Sequence, residues 1–354
     1  MTVLPQFLVN ALLVGSLLLS GCSPIYVIRA AYEEGKILWR REPIERLLEK
    51  PDLAPETQEK LKLVLAVREY ARDSLKLRVG GSYASYSYVD RPVLSYVLMA
   101  APKTDLKPYT WWYFFIGRVP YKGFFSEEAA KAEAERFHAE GYDTYIRTAQ
   151  AFSTLGWFDD PLLAHLLKYD KATLAEIIFH ELFHNTLFVS GAVGFNESLA
   201  NFVGNRAAIL FFRDLYGEGG SEYGRVVQSW EEELEFAAFI ARVAGSLKEL
   251  YGKDLDQEEK LRLREEIFSR SKNEWSRRIA DRPKHRYRGY IKQEGNNAVI
   301  AHYLLYLKGL KLFESLYQTA GGDLGRLVEL IEESIQDSEA PFEAVQELLR
   351  KRQA

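Results

Sequence analysis

The residues most able to do chemistry stand together at Phe179-His180-Glu181-Leu182-Phe183-His184, an H-E-x-x-H arrangement inside an apolar stretch that begins at Leu174. On an α-helix, residues four apart share a face, so both imidazoles can reach one ion while Glu181 lies close by. Zinc that does catalysis needs three protein ligands and an open position for water. The third ligand should be a carboxylate or histidine on a neighbouring element. Phe195-Asn196-Glu197-Ser198-Leu199-Ala200-Asn201 supplies one after the glycine-bearing turn at 191–194, which lets a second helix fold back beside the first. Asn201, one turn after Glu197, is placed to hydrogen-bond the far nitrogen of a ligand histidine. The predicted site is one zinc ion held by His180, His184 and Glu197. Such an ion polarises a scissile carbonyl and acidifies water, with Glu181 taking the proton and passing it to the leaving amine. The alternative is a helix whose histidines merely pair with carboxylates.

The chemistry also asks for a donor to the developing oxyanion from outside the metal helices, and the segment from Tyr287 to Tyr306 is the best source. His302 within it reads as a packed or surface histidine. Removing N-terminal residues requires carboxylates to hold a free amine, and Asp159 and Asp160, ahead of the metal helix, are candidates. Their other use is to cap the turn and helix that would begin at Pro161. The strand expected over 142–149 could pair its edge with substrate. The basic run from Arg282 to Arg288 reads as a solvated loop, with anionic lipid or a substrate carboxylate as its alternative partners.

Several elements must position these groups. Apolar residues recur at helical spacing from Ile25 to about residue 76, broken at Pro43 and at Pro51 to Pro55, which predicts an N-terminal helical hairpin. Aromatic and β-branched residues between Tyr83 and Phe125 predict several strands. Ser126 followed by Glu127 and Glu128 predicts a helix N-terminus, with the helix ending near Gly141 and a strand following. From Pro161 onward nearly everything is helical in period.

The 354 residues can bury a full core without disulfides, and the 13% aromatic content excludes a disordered chain. With 46 basic against 50 acidic residues, there is no case for nucleic acid. An apolar run from Phe7 to Leu19 is too short to span a bilayer and reads as a signal-peptide core, although no Lys or Arg precedes it. It ends in Leu19-Ser20-Gly21-Cys22, which resembles a bacterial lipobox. Cys22 is the only cysteine, so no internal disulfide can form and no thiolate remains for the metal. Acylated Cys22 would tether a soluble domain to a membrane. The expected organisation is a signal peptide over 1–21, a tether and helical hairpin over 22–80, and a metallopeptidase domain over 81–354 packed with the hairpin as one unit.

The Asn-Glu signature resembles that of gluzincin metallopeptidases, among them thermolysin and the large zinc aminopeptidases. Other blocks resemble a family of lipid-anchored bacterial aminopeptidases: Gly81-Ser82-Tyr83, Asp90-Arg91-Pro92, Tyr121-Lys122-Gly123-Phe124-Phe125, Ser153 to Pro161, and Asn296-Asn297-Ala298. The resemblance covers nearly the whole mature chain. It implies a zinc aminopeptidase with a peptide substrate, attached to a membrane of the bacterial envelope outside the cytoplasm. Tyr306 lies at the family's spacing from Asn296-Asn297 and is the implied oxyanion donor, its other reading being an aromatic core residue. Ser190 to Val193 replaces a more acidic stretch, and Lys122 stands where arginine is usual, which keeps the charge but loses the bidentate fork. The expected fold is α+β and zincin-like, with a small mixed sheet and a largely helical second half. The rivals are a catalytically inactive lipoprotein acting as a binding or scaffold module, and an endopeptidase or another metal hydrolase.

Overall fold

The computed structural model describes residues 35–89, 93–113, 117–149, 159–336 and 338–353. The expected signal peptide, Cys22, Asp90-Arg91-Pro92 and residues 153–158 lie outside the described residues. In chain order, β1 (Glu42–Pro43), α1 (Ile44–Leu48) and α2 (Pro55–Asp73) lead to β2 (Ser85–Ser87), β3 (Tyr96–Pro102), β4 (Trp111–Tyr113), β5 (Gly117–Val119) and β6 (Lys122–Phe124). Then come α3 (Glu127–Ala139), β7 (Tyr142–Thr148), β8 (Leu162–Leu163) and a 3-10 turn at Ala164–Lys168. The helical half follows: α4 (Lys171–His184), α5 (Val193–Tyr216), α6 (Ser221–Tyr251), α7 (Gln257–Arg278), a 3-10 turn at Arg288–Lys292, α8 (Asn297–Leu307), α9 (Leu310–Thr319), α10 (Leu324–Ile335) and α11 (Pro341–Gln353).

The fold is α+β. In place of one mixed sheet, the strands among the described residues form three small pieces: an antiparallel β6-β3-β7 sheet, a mixed β1-β2-β8 sheet and a β4-β5 hairpin. Among the described residues β3 and β7 run to seven residues and β4, β5 and β6 to three each, too short to join one continuous ladder. Helix α3 begins where expected, with the Ser126 hydroxyl accepting from the Ala129 N–H at 3.2 Å. Its Ala130, Ala134 and Phe137 cover the sheet at Leu98, Ala100 and Phe124.

Helix α4 is apolar on nearly all sides because it runs through the main core, with Leu174, Ile178, Phe179, Leu182 and Phe183 fully buried. Its N-cap is Asp170, whose carboxylate accepts from the Thr173 N–H at 3.1 Å, an interaction worth about 0.5–2 kcal/mol. No helix starts at Pro161, so neither Asp159 nor Asp160 serves the capping role considered for them. Helix α2 packs on one side of α4 and α5 on another. The turn between α4 and α5 is closed by Asn196, whose carboxamide accepts from Val189 N–H at 2.9 Å and donates to Val189 C=O at 2.8 Å. That clamp places the next residue, Glu197.

The two helices meet at Gly204. A Cβ there would stand 2.9 Å from the Glu176 carbonyl oxygen and 3.1 Å from both the backbone nitrogen and the Cβ of His180. Backbone rather than a flexible side chain lies on the far side, so the helices would have to separate. Gly204→Ala is therefore expected to destabilise the fold by about 1–3 kcal/mol despite the better helix propensity of alanine. Gly245→Ala, in α6 with open space around its Cβ, should stabilise by about 0.5–1 kcal/mol. Urea melts of the two variants decide the matter; equal midpoints would mean that α4 and α5 are not in close contact.

Candidate metal centre

On α4 the polar residues Glu176, His180 and His184 recur every four positions and so form one stripe down a buried helix, with Glu181 beside it. The stripe faces Glu197 on α5. His180 Nε2 and His184 Nε2 lie 3.3 Å apart, and His180 Nε2 lies 3.5 Å from Glu197 Oε2. The three donor atoms all fall within 4.8 Å of one another. Donors about 3.3 Å apart are what a tetrahedral ion with bonds of about 2.0–2.1 Å spans. Two imidazoles and a carboxylate are also a donor set that suits zinc. The structure thus brings together all three expected ligands.

Electrostatics agree with cation binding. Burial drives the His184 imidazole down to about 4, so it is neutral and its nitrogen is free to ligate. Burial would also lower His180, but the hydrogen bond to Glu197 and the charges of Glu181, Glu197 and Glu233 outweigh it and raise it. The negative field that favours a proton on His180 favours a metal cation equally. Burial would raise Glu197, yet its contact with His180 and the charges of the two histidines and Arg147 hold it below the usual carboxylate range. Glu181 is pushed up to about 7, chiefly by burial, with Glu197 and Asp160 adding repulsion against the attraction of His180 and Arg147.

Helix α8 brings Tyr306 to the rim of this centre, its ring centroid 6.4 Å from that of His180. The helix is held at both ends. The Asn297 N–H donates to Asp143 Oδ2 at 2.8 Å, and Asn296 Nδ2 donates to the Thr144 carbonyl at 3.0 Å, tying the start of α8 to β7. Asp143 is itself held by a buried ion pair with Arg264 at 2.8 Å. Toward the other end, Ser198 and Asn201 of α5 donate to the carbonyls of Leu305 and Tyr306 at 3.0 and 3.1 Å. The Asn296-Asn297 pair is thus the clamp that sets where Tyr306 lies.

Asn201 does not do what its position predicts. Its amide donates to Glu233 Oε1 at 2.5 Å and to the Tyr306 carbonyl, and the His184 Nδ1 is buried with no partner. The side chain one turn after Glu197 thus meets α6 and the end of α8 rather than the histidines of α4. Asn201 therefore orients Glu233, whose charge acts on His180. Asp159 and Asp160 separate in role. Asp159 accepts from the Gly81 N–H at 2.7 Å, and a Cβ on Gly81 would lie 2.4 Å from its Cγ, so it is an anchor for the Gly80-Gly81 turn. Asp160 is buried and adds its charge to Glu181. His302 is packed between Tyr145 and Tyr306 at 5.1 and 5.5 Å. Lys122 pairs with Glu133 of α3 at 3.1 Å.

Three residues at the site go beyond those expected from sequence. Tyr83 is buried, has a left-handed backbone at φ 59°, and feels the charges of Glu181 and Asp160. Tyr121 is partly buried and lies where Glu197, Tyr306 and Arg147 act on its hydroxyl. Arg147, on β7, donates to the Tyr306 hydroxyl at 2.9 Å. Tyr83 and Tyr121 belong to sequence blocks that drew notice as blocks, and Arg147 carried no local signal.

The basic run 282–288 is not simply a solvated loop. Arg286 is drawn into the protein by Glu233 at 2.7 Å and Glu176 at 3.5 Å, while Arg282 pairs with Glu235 at 2.8 Å. Burial pushes Glu176 up to about 7, with Arg286 opposing it. A carboxyl raised above its unfolded value contributes stability that is full below about 4.5 and is lost as pH rises through about 7. Glu176→Gln removes that dependence. The melting temperature of the variant relative to wild type should therefore move in the variant's favour between about pH 5 and about pH 8. A difference that stays constant with pH would show Glu176 ionised throughout.

No curated protein and no solved structure matches the chain. The profile of a family described as "Putative aminopeptidase" matches residues 25–344, from ahead of α1 into α11 and including every residue of the centre described above. By this match over most of its length, the chain belongs to that aminopeptidase family.

Proposed function

We propose that the chain is a zinc-dependent aminopeptidase with a zincin-like, gluzincin-type site, in which His180, His184 and Glu197 hold one zinc ion. Two imidazole nitrogens and a carboxylate oxygen within 4.8 Å of one another, with Glu181 on the same helix, carry this assignment. A zinc ion bound there supplies Lewis acidity toward the scissile carbonyl and toward water. Glu181 accepts the proton of the attacking water and delivers a proton to the departing amine. Tyr306 donates its hydroxyl proton in a hydrogen bond to the carbonyl oxygen as it gains charge. Asp160, buried and near enough to act on Glu181, provides negative charge for a substrate's free α-ammonium group, which favours an exopeptidase over an endopeptidase. Asp159, occupied with Gly81, takes no part.

The lipobox-like Leu19-Ser20-Gly21-Cys22 supports cleavage before Cys22 and acylation of its thiol. The folded part would then be tethered to a bacterial membrane outside the cytoplasm, where peptides are its substrates. No helix among the described residues is long and apolar enough to cross a membrane.

Wild type should bind one zinc per chain and release aminoacyl reporters only from free N-termini. Glu181→Gln should keep the zinc and lose roughly 10²–10⁴-fold in kcat. Glu197→Ala should lose the zinc, measured by elemental analysis after dialysis. Full activity in Glu181→Gln would remove that residue from the mechanism. Cleavage of N-acetylated peptides would make the enzyme an endopeptidase, and zinc binding without hydrolysis of any peptide would leave a binding module.

A further inference from the structure

Arg147 is a half-buried cation with no ion-pair partner among the described residues. Its Nη2 donates to the Tyr306 hydroxyl at 2.9 Å, its Nη1 reaches only the Thr148 carbonyl at 3.4 Å, and its Nε is sealed from solvent with no acceptor. Among the described residues no carboxylate comes within ion-pair distance of it. Arg264, which is buried, differs: it has Asp143 at 2.8 Å. Buried charges are ordinarily paired, because desolvation is costly without a partner. The groups facing Arg147 are Tyr145 on its own strand, Tyr121 ahead of β6, His302 and Tyr306 on α8, and Glu197 on α5. The Tyr306 hydroxyl thus has the guanidinium as one neighbour and the Glu197 carboxylate as another.

This arrangement fixes a proton. A phenol has one hydrogen, and its oxygen accepts through lone pairs. Since Arg147 takes a lone pair, the Tyr306 hydrogen must point away from the guanidinium, which is toward the centre formed by Glu197 and His180. We propose that Arg147 is a positioning residue of the peptidase reaction: it aims the Tyr306 hydroxyl and keeps an uncompensated positive charge behind it for the oxyanion that forms there. The proposal rests on the peptidase function assigned above. When water adds to the scissile carbonyl, the π pair moves onto oxygen, and Tyr306 donates a hydrogen bond to it without giving up its proton. When the C–N bond breaks, that pair reforms the carbonyl and the amine leaves with the proton carried by Glu181. The negative charge that Arg147 lacks thus arrives only during the reaction. A substrate carboxylate would instead have to use the Nε edge, and that edge is closed to solvent.

The test is a double-mutant cycle of Arg147→Gln and Tyr306→Phe on an aminoacyl anilide, which has no carboxylate, with Arg147→Lys as the conservative variant. Melting temperature and zinc content serve as controls for folding. Arg147→Gln should lower kcat by on the order of 10²-fold with KM nearly unchanged, and should weaken binding of a tetrahedral phosphinic analogue by a similar factor. In the Tyr306→Phe background the same substitution should cost no more than a few-fold, because the partner through which it acts is gone. Arg147→Lys should recover part of the loss by keeping the charge. Additive losses in the cycle, or a loss confined to KM, would overturn the positioning role while leaving the peptidase intact. A wild-type chain that binds zinc and cleaves no peptide would overturn the peptidase function and this inference together. Should Arg147→Gln fail its folding control, the Arg147→Lys cycle decides by the same criterion.

Discussion

The contact of α4 with α5 at Gly204 sets the distance on which the site depends. Helices separated by ordinary side chains have axes about 8–10 Å apart, and a missing Cβ at the crossing lets them come closer. Here the absent side chain faces the backbone of His180 itself, so His180 and the helix bearing Glu197 are referred to the same point. Asn196 fixes the other coordinate by stitching the intervening turn to the start of α5, one residue ahead of Glu197. The imidazoles share α4, so the relative placement of the two helices alone decides whether three donors converge or diverge.

A second layer of buried charge supports that geometry. The buried carboxyl groups of Glu176 and Glu233 lie behind α4 and pair with the more exposed Arg286, and Asn201 links Glu233 to the carbonyl of Tyr306. Buried ionic groups of this kind add little net stability over apolar packing of similar shape. Their value lies in fixing orientation, since each partner left alone would be a buried unpaired group. On the opposite side, Asp143, Asn296 and Asn297 bind α8 to β7, which delivers Tyr306 and Arg147 to the same rim. The sheet and the helical half are thus joined at the point where the proposed chemistry takes place.

Sequence reading went furthest where spacing is local. His180 and His184 share a helix turn, and Glu197 follows after one short connection, so their meeting could be anticipated from helical period and a glycine-bearing turn. The start of α3 at Ser126 was visible for the same reason. Asn201 was assigned to the right stretch of helix and the wrong neighbour, because period tells which residues share a face and not which helix that face meets. Arg147, Tyr121 and Tyr83 come from strands and turns distant in the chain, and among 21 tyrosines no local pattern distinguishes the two that matter here. Arg286 looked like one charge in a solvated run, because the carboxylates that draw it inward lie on α4 and α6. The small sheet expected is divided into separate pieces among the described residues, since strands of three residues leave no periodicity by which to judge how they join.

The central claim is that one ion occupies the point shared by two imidazoles of α4 and a carboxylate of α5. Crystals of the zinc-loaded protein, with anomalous difference maps measured at the zinc edge, test it directly. The account predicts a single peak about 2.0–2.2 Å from each of His180 Nε2, His184 Nε2 and a Glu197 carboxylate oxygen, with a fourth position open to solvent. A peak elsewhere on the chain, or histidine and glutamate side chains turned apart around an empty point, would contradict it.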